Sequence, residues 1–104
     1  MCSSDLPTRL ERTESIADGL MTLTVGDVPF AHLAEHRAQV AGVALVDDAS
    51  LRGAVHFLWR ECRLAVEPSG AATTAALRSR ALQPRAPTVL VVSGGNVDPS
   101  LLEA

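Results

Sequence analysis

A chain of 104 residues suffices for one small domain, and its 47% hydrophobic and 20% charged residues are typical of a folded globular protein. The net charge is −3, the nine basic residues are all arginine and lie scattered, and aromatic residues make up 3%, so nucleic-acid binding gains no support. The longest apolar run, Val89–Val92, is too short to cross a membrane, and the N-terminus has no secretory signal. Two cysteines are too few for a disulfide framework. We therefore expect a cytoplasmic protein.

The first 14 residues show no hydrophobic periodicity, and we predict that they form a disordered or artefactual N-terminal tail. Pro7 interrupts them, and the string Cys2–Leu6 resembles the translated end of a common sequencing-library adapter. Residues 15–104 are predicted to carry the ordered structure.

The first half of the ordered region predicts a helix, a strand and a second helix. Apolar residues recur at helical spacing within Val28–Ala38, and the continuous apolar run Val43–Val46 is typical of a buried strand. Asp47 or Asp48 can cap the helix that follows, which the pattern extends from residue 49 to about residue 62. The apolar stripe of this helix, whose members we expect to be buried, consists of Leu51, Ala54, Val55, Leu58 and Cys62.

The second half predicts a helix, a strand and a final helix. Pro68 suits a first helical turn, and the alanine-rich run that follows favours a helix up to Arg78. Thr88–Val92 is the clearest strand, continuous in valine and leucine and expected to be buried on both faces of a parallel sheet. A helix then starts at Pro99. This order indicates an α/β layer architecture, and two central strands make only part of a sheet.

A glycine-rich turn, Ser93–Asn96, stands between the second strand and the last helix. Such a turn can bind an anion through backbone N–H groups, or it can simply need glycine for its backbone angles. Glu67–Ala71 can likewise be an ordinary helix start. The residues alone leave both alternatives open.

A zinc site is a third alternative. The segment His32–His36 has the H-x-x-E-H pattern of some zinc peptidases, in which two histidines bind the metal and a glutamate acts as base. The apolar residues nearby lie on the other side of the helix, so we expect a solvated face and assign no metal ligand.

Three segments, in this order, resemble the closing portion of threonine/serine dehydratases and serine racemases, enzymes that use pyridoxal phosphate. We refer to them as the Ala-Asp-Gly segment (Ser15–Leu20), the Glu-Pro-Ser turn (Glu67–Ala71) and the Gly-Gly loop (Ser93–Asp98). The resemblance implies a partial three-layer α/β/α parallel-sheet domain, the C-terminal part of the large domain of fold type II pyridoxal-phosphate enzymes. Residues 15–104 would then be a C-terminal segment of such a domain.

The resemblance also implies the cofactor-binding residues. Ser93 would hydrogen-bond the pyridine nitrogen of pyridoxal phosphate, with Gly94 next to it. Glu67 would lie in the pocket wall beside the cofactor ring, and Gly19 would lie close to the cofactor at the edge of the active site. No catalytic residue is assigned to this chain.

The chain contains no lysine, and the chemistry of the resembling family begins with a lysine bound covalently to pyridoxal phosphate. We therefore expect a part of a hydroxyamino-acid ammonia-lyase, inactive alone, whose partner is the missing N-terminal half or a complementary chain in a family that is commonly homo-oligomeric. The alternative is a small non-catalytic binding or interaction module that keeps the same half-fold.

Overall fold

The computed structural model describes residues 7–103, and within them four α-helices form most of the regular structure. The helices are α1 (Asp27–Glu35), α2 (Asp48–Cys62), α3 (Ala72–Arg78) and α4 (Pro99–Glu103). Short 3-10 turns occupy Asp18–Leu20, Arg37–Gln39 and Pro68–Ala71. The described residues divide into two compact units, the first made of residues 7–14 and 21–43 and the second of residues 15–20 and 44–103.

The first unit contains α1, which the helical spacing of its apolar residues predicted. Residues 1–6 of the predicted N-terminal tail lie outside the described residues. In the rest of that tail, the Leu10 N–H donates to the Leu23 carbonyl at 2.7 Å, and the Thr13 hydroxyl donates to the Met21 carbonyl at 3.0 Å. The boundary at residue 14 stays a prediction.

Helix α2 begins and ends where local chemistry requires. The Asp47 carboxylate accepts a hydrogen bond from the Ser50 N–H at 2.7 Å, so Asp47 is the N-cap, one of the two aspartates that the sequence left as alternatives. At the other end, Arg63 adopts a left-handed conformation and the Leu64 N–H donates back to the Leu58 carbonyl at 2.9 Å. This pattern closes the last turn of the helix.

The core of the second unit lies between α2 and the segment that leads into α3. Val55 is the largest side chain that is fully buried, and Thr74 is the buried polar residue. Alanines on the facing segment let the helices approach closely, because a methyl group takes up little space between the two backbones. The buried cluster consists of Ala17, Leu51, Ala54, Val55, Leu58, Val66, Ala71 and Ala75.

The two predicted strands are absent from the described residues. Exposure reaches 87% at Leu45 and 89% at Val89, so the expected burial of Val43–Val46 and Thr88–Val92 is wrong for residues 7–103. The physical reason is that a strand takes its backbone hydrogen bonds from a neighbouring strand, and these residues provide none. The parallel sheet therefore remains a prediction.

The expectation that Cys62 is buried is also wrong. Cys62 is exposed, although the other four members of the predicted stripe are buried. Cys62 is the last residue of α2, and the core that covers this helix ends one turn earlier, at Leu58. Periodicity gives the direction of a side chain but not the extent of the element that covers it.

None of the helices in residues 7–103 has the length and apolar character needed to span a membrane. The cytoplasmic location stays a prediction.

We expect Leu58→Ala to lower the free energy of unfolding by roughly 2–5 kcal/mol, because it leaves a cavity in a buried cluster. The matched control is Leu45→Ala, the same substitution at an exposed side chain, which we expect to change that free energy by less than about 0.5 kcal/mol. Urea unfolding followed by circular dichroism measures both. Equal losses in the two variants would contradict the core described above.

The N-cap of α2 predicts a pH dependence. Hydrogen bonding by the Ser50 side chain and backbone N–H lowers the pKa of Asp47. Because the folded pKa lies below the value of about 3.9 in an unfolded chain, the ionised carboxylate stabilises α2 above that pH, and its contribution is lost as the pH falls through the lowered pKa.

We expect the helix content to fall below about pH 4, and to fall less steeply in Asp47→Asn, whose amide oxygen still accepts the Ser50 bond but does not titrate. Circular dichroism across a pH series compares the two proteins, and their difference isolates Asp47 from the other carboxyl groups. Superimposable profiles would rule out a contribution from this cap.

Candidate functional site

The Ala-Asp-Gly segment and the Glu-Pro-Ser turn meet in the second unit. The Gly19 N–H donates to the Ser69 hydroxyl oxygen at 2.8 Å. A Cβ atom at Gly19 would lie 3.0 Å from that same oxygen, so a larger residue would press on the bond. The backbone of Gly19 is therefore held against the start of the helical turn at Pro68.

The Glu-Pro-Ser turn and the Gly-Gly loop meet through two backbone hydrogen bonds. The Glu67 N–H donates to the Gly94 carbonyl at 2.9 Å, and the Ser93 N–H donates to the Gly70 carbonyl at 3.4 Å. All three segments predicted from the sequence thus lie at one place, although 50 residues separate Gly19 from Ser69.

Glycine is required on both sides of this approach. A Cβ atom at Gly70 would overlap the carbonyl group of Ser93, and one at Gly94 would overlap the carboxylate of Glu67. Gly94 also has a φ of +79°, a conformation that other residues rarely adopt. The alternative that the Gly-Gly loop needs glycine for its backbone angles is therefore correct at Gly94. Glycine at this position also lets the loop pack against Glu67.

The side chains of Glu67 and Ser93 are available for binding. Glu67 precedes the 3-10 turn at Pro68 but makes no capping hydrogen bond with its side chain, and its half-buried carboxylate lies against Gly94 instead. Ser93 is exposed, and its hydroxyl has no hydrogen-bond partner among the residues that the structure describes. A carboxylate and a free hydroxyl therefore stand on adjoining segments.

A small cavity of about 140 Å³ opens where the three segments meet. It takes residues from each of them and from the start of α4. The predicted residue Glu67 lines it, whereas Gly19, Ser93 and Gly94 lie beside it through the bonds above. The lining consists of Ile16, Asp18, Glu67, Pro68, Ser69, Asn96, Val97, Asp98 and Leu101.

Two residues that sequence reasoning missed position the Ala-Asp-Gly segment. Asp48 accepts hydrogen bonds from the Ser15 hydroxyl at 2.7 Å and from the Ile16 N–H at 3.1 Å, and Ser69 accepts the bond from Gly19. A usable signal for Asp48 was the pair of aspartates at the start of α2, because only one of two adjacent carboxylates can cap the helix. Ser69 carried no such signal.

The end of the Gly-Gly loop is fixed by the start of α4. The Asp98 carboxylate accepts a hydrogen bond from the Ser100 N–H at 2.9 Å, and this backbone bond, with the Ser100 side chain, lowers the pKa of Asp98. Asp98 therefore acts as an N-cap and sets where the loop ends.

The residues of the zinc alternative lie in the first unit. His32, Glu35 and His36 are all exposed, as the solvated-face interpretation predicted. They belong to α1 and its C-cap and to none of the three segments.

The convergence has the chemistry that a pyridoxal ring needs on one side. A free hydroxyl at Ser93 can hydrogen-bond a ring nitrogen, and the glycines at positions 94 and 19 let the loop and the Ala-Asp-Gly segment pack against Glu67 and Ser69. What the chain lacks is the lysine for covalent attachment. The residues therefore fit the non-covalent side of such a pocket.

Comparison with known proteins identifies the family. The family of pyridoxal-phosphate dependent enzymes matches residues 2–94. This chain belongs to that family. The resemblance stated from the three segments is confirmed, and pyridoxal phosphate is the cofactor that members of the family bind.

The relatives are racemase-like and dehydratase-like members of the family. The chain is 34% identical over 90 residues to the serine racemase of Dictyostelium discoideum, across 84% of this chain and 26% of that protein. It is also 34% identical over 90 residues to the L-threo-3-hydroxyaspartate ammonia-lyase of a Pseudomonas species, across 86% and 27%. The chain thus spans about a quarter of the length of these curated relatives.

A solved structure gives the same result. The threonine deaminase of T.th. superposes on this chain with a TM-score of 0.74 and 36% identity, across 88% of this chain and 32% of that one. The path of the chain is therefore that of a family enzyme of the α/β class, even though residues 7–103 contain no strand.

The glycine contacts yield a matched pair of substitutions. We expect Gly70→Ala to lower the free energy of unfolding by at least about 3 kcal/mol, because its methyl group would collide with backbone atoms of Ser93. The control is Gly53→Ala in α2, where a Cβ atom meets nothing within 4 Å, and which should raise that free energy by roughly 0.5–1 kcal/mol. Chemical denaturation measures both, and a neutral Gly70→Ala would contradict the close approach.

Proposed function

We propose that residues 15–104 are the C-terminal segment of a pyridoxal-phosphate dependent hydroxyamino-acid ammonia-lyase, a threonine or serine dehydratase. The observation that carries the proposal is the meeting of the Ala-Asp-Gly segment, the Glu-Pro-Ser turn and the Gly-Gly loop at one cavity. Two curated relatives named for serine racemisation and for ammonia-lyase chemistry support the reaction class.

In the proposed pocket, each named residue has a role set by its chemistry. The Ser93 hydroxyl holds the ring nitrogen as a neutral partner, so it orients the ring without keeping that nitrogen protonated. Glu67 forms part of the wall, and Gly19 and Gly94 let backbone approach the cofactor. When bound, pyridoxal phosphate withdraws electrons from the Cα of the amino acid, which permits loss of a β-hydroxyl group and release of ammonia.

The proposed partner is a polypeptide that carries the lysine, either the N-terminal part of the same enzyme or a complementary chain. The exposed apolar segments Val43–Val46 and Thr88–Val92 support this proposal, because each has the pattern of a central strand and stands without a neighbour in residues 7–103. Strands from the partner would complete a parallel sheet and bury them.

Thr73 indicates where the second of these segments is already held. Its hydroxyl donates to the Val91 carbonyl at 2.8 Å, which ties the segment to α3. The segment therefore reaches a partner in a fixed position, directly before Ser93. Pairing in the proposed sheet would in this way also set the position of the proposed ring-nitrogen contact.

A chimeric enzyme tests the proposal. Residues 15–103 of this chain replace the corresponding part of the T.th. threonine deaminase, and ammonia release from L-threonine and L-serine is measured. We expect activity from the chimera and none from the 104-residue chain alone, because no lysine is present. Ammonia release by the chain alone, or a folded, cofactor-bound chimera that releases none, would contradict the proposal.

Within an active chimera, Ser93→Ala should lower kcat/KM by roughly 100-fold, because it removes the hydrogen bond to the ring. The matched control is Ser79→Ala, an exposed serine that follows α3 and belongs to none of the three segments, which should leave kcat/KM unchanged. Equal effects at the two serines would remove the proposed role of Ser93.

A further inference from the structure

We propose that His32, Glu35 and His36 form a binding site for a divalent transition-metal ion, with zinc as the representative ion. The site lies at the C-terminal end of α1 in the first unit and shares no residue with the pyridoxal-phosphate pocket proposed above. The proposal concerns binding and assigns no hydrolytic reaction to these residues.

The backbone holds the two histidines one helical turn apart. The His36 N–H donates to the His32 carbonyl at 3.0 Å, so the register between them is that of an α-helix even though His36 is already the C-cap. Their rings are stacked, with centroids 6.3 Å apart and planes within 7° of parallel. Side chains four positions apart on a helix face the same way, which lets both imidazoles reach one ion.

Glu35 supplies a third ligand on the same turn. One donor atom each from His32, Glu35 and His36 lie within 4.8 Å of one another. A tetrahedral ion with ligands at about 2.1 Å needs donor atoms roughly 3.4 Å apart, so small rotations of exposed side chains close the site. Three protein ligands leave a fourth position for water.

The ligands are free to bind. All three side chains are exposed, and in residues 7–103 the recorded ion pair joins Arg12 to Glu14 and involves none of them. A shallow cavity of about 220 Å³ beside His32 and Glu35 gives space for water on the metal. No hydrogen bond or ion pair of the described residues has to be broken for the ion to enter.

The donor set selects the kind of metal. Two imidazole nitrogens and one carboxylate oxygen suit zinc, copper and nickel, whereas magnesium and calcium prefer oxygen ligands alone. We therefore expect Zn²⁺ to bind and Mg²⁺ not to bind. Binding to the folded chain also stabilises it by mass action, most directly at the last turn of α1.

The test uses the full chain carrying Cys2→Ser and Cys62→Ser, because free thiols are competing zinc ligands. Isothermal titration calorimetry with zinc chloride should give one ion per chain. His32→Ala and His36→Ala should each weaken binding at least about tenfold, since even residues that only support metal ligands cost that much when lost. His56→Ala, the remaining histidine of the chain, is the matched control and should keep the parent affinity.

Circular dichroism of each variant checks that folding is intact, which is expected because both histidines are exposed. A zinc-dependent rise in Tm that disappears in His32→Ala and His36→Ala and persists in His56→Ala supports the site. Unchanged affinity in either variant, an equal loss in His56→Ala, or equal binding of Mg²⁺ would overturn it.

Discussion

The arrangement of the candidate site depends on the close backbone approach between the Glu-Pro-Ser turn and the Gly-Gly loop. Two backbone hydrogen bonds join them, and glycine at positions 70 and 94 leaves the space in which they form. The start of α3, the direction of the loop into α4 and the position of the Glu67 carboxylate all depend on this approach. At Gly70 the contact is with backbone atoms of Ser93 and tolerates almost no substitution, because backbone cannot move as a flexible side chain can.

The chain supplies position and shape more than reactivity. The polar groups at the meeting point are hydroxyls, carboxylates, an asparagine amide and backbone amides, and none of them can replace an amine that bonds to a cofactor. The abundant arginines do not change this, since a guanidinium stays protonated. In the proposed enzyme this chain would contact the ring, and the partner would supply the lysine for the covalent bond.

The helices could be predicted because their signals are local. The Asp47 cap and the spacing from Leu51 to Leu58 place α2 within one residue of its observed start. The two strands were predicted wrongly for the opposite reason. The apolar pattern of Thr88–Val92 is typical of a strand that pairs on both sides, but the sequence of the segment does not show whether pairing strands are present. The predicted burial of Cys62 was wrong because the core that covers α2 ends at Leu58, before the helix ends.

In the candidate site, too, the local features could be predicted from the sequence and the distant partners could not. Each of the three segments stands out in the sequence, but only the resemblance to a known family predicted that they act at one site. Ser69 and Asp48 were missed because their partners lie 50 and 32–33 positions away in the chain. No property of a single residue reveals such a partner.

The paired aspartates at the start of α2 couple two regions of the second unit. Asp47 holds the first turn of the helix through Ser50, while its neighbour Asp48 holds Ser15 and Ile16. Fraying of that turn would release both sets of bonds, so we expect the amides of Ile16 and Ser50 to exchange their hydrogens with solvent together. Ile16, at the edge of the candidate site, would then open whenever the first turn of α2 frays.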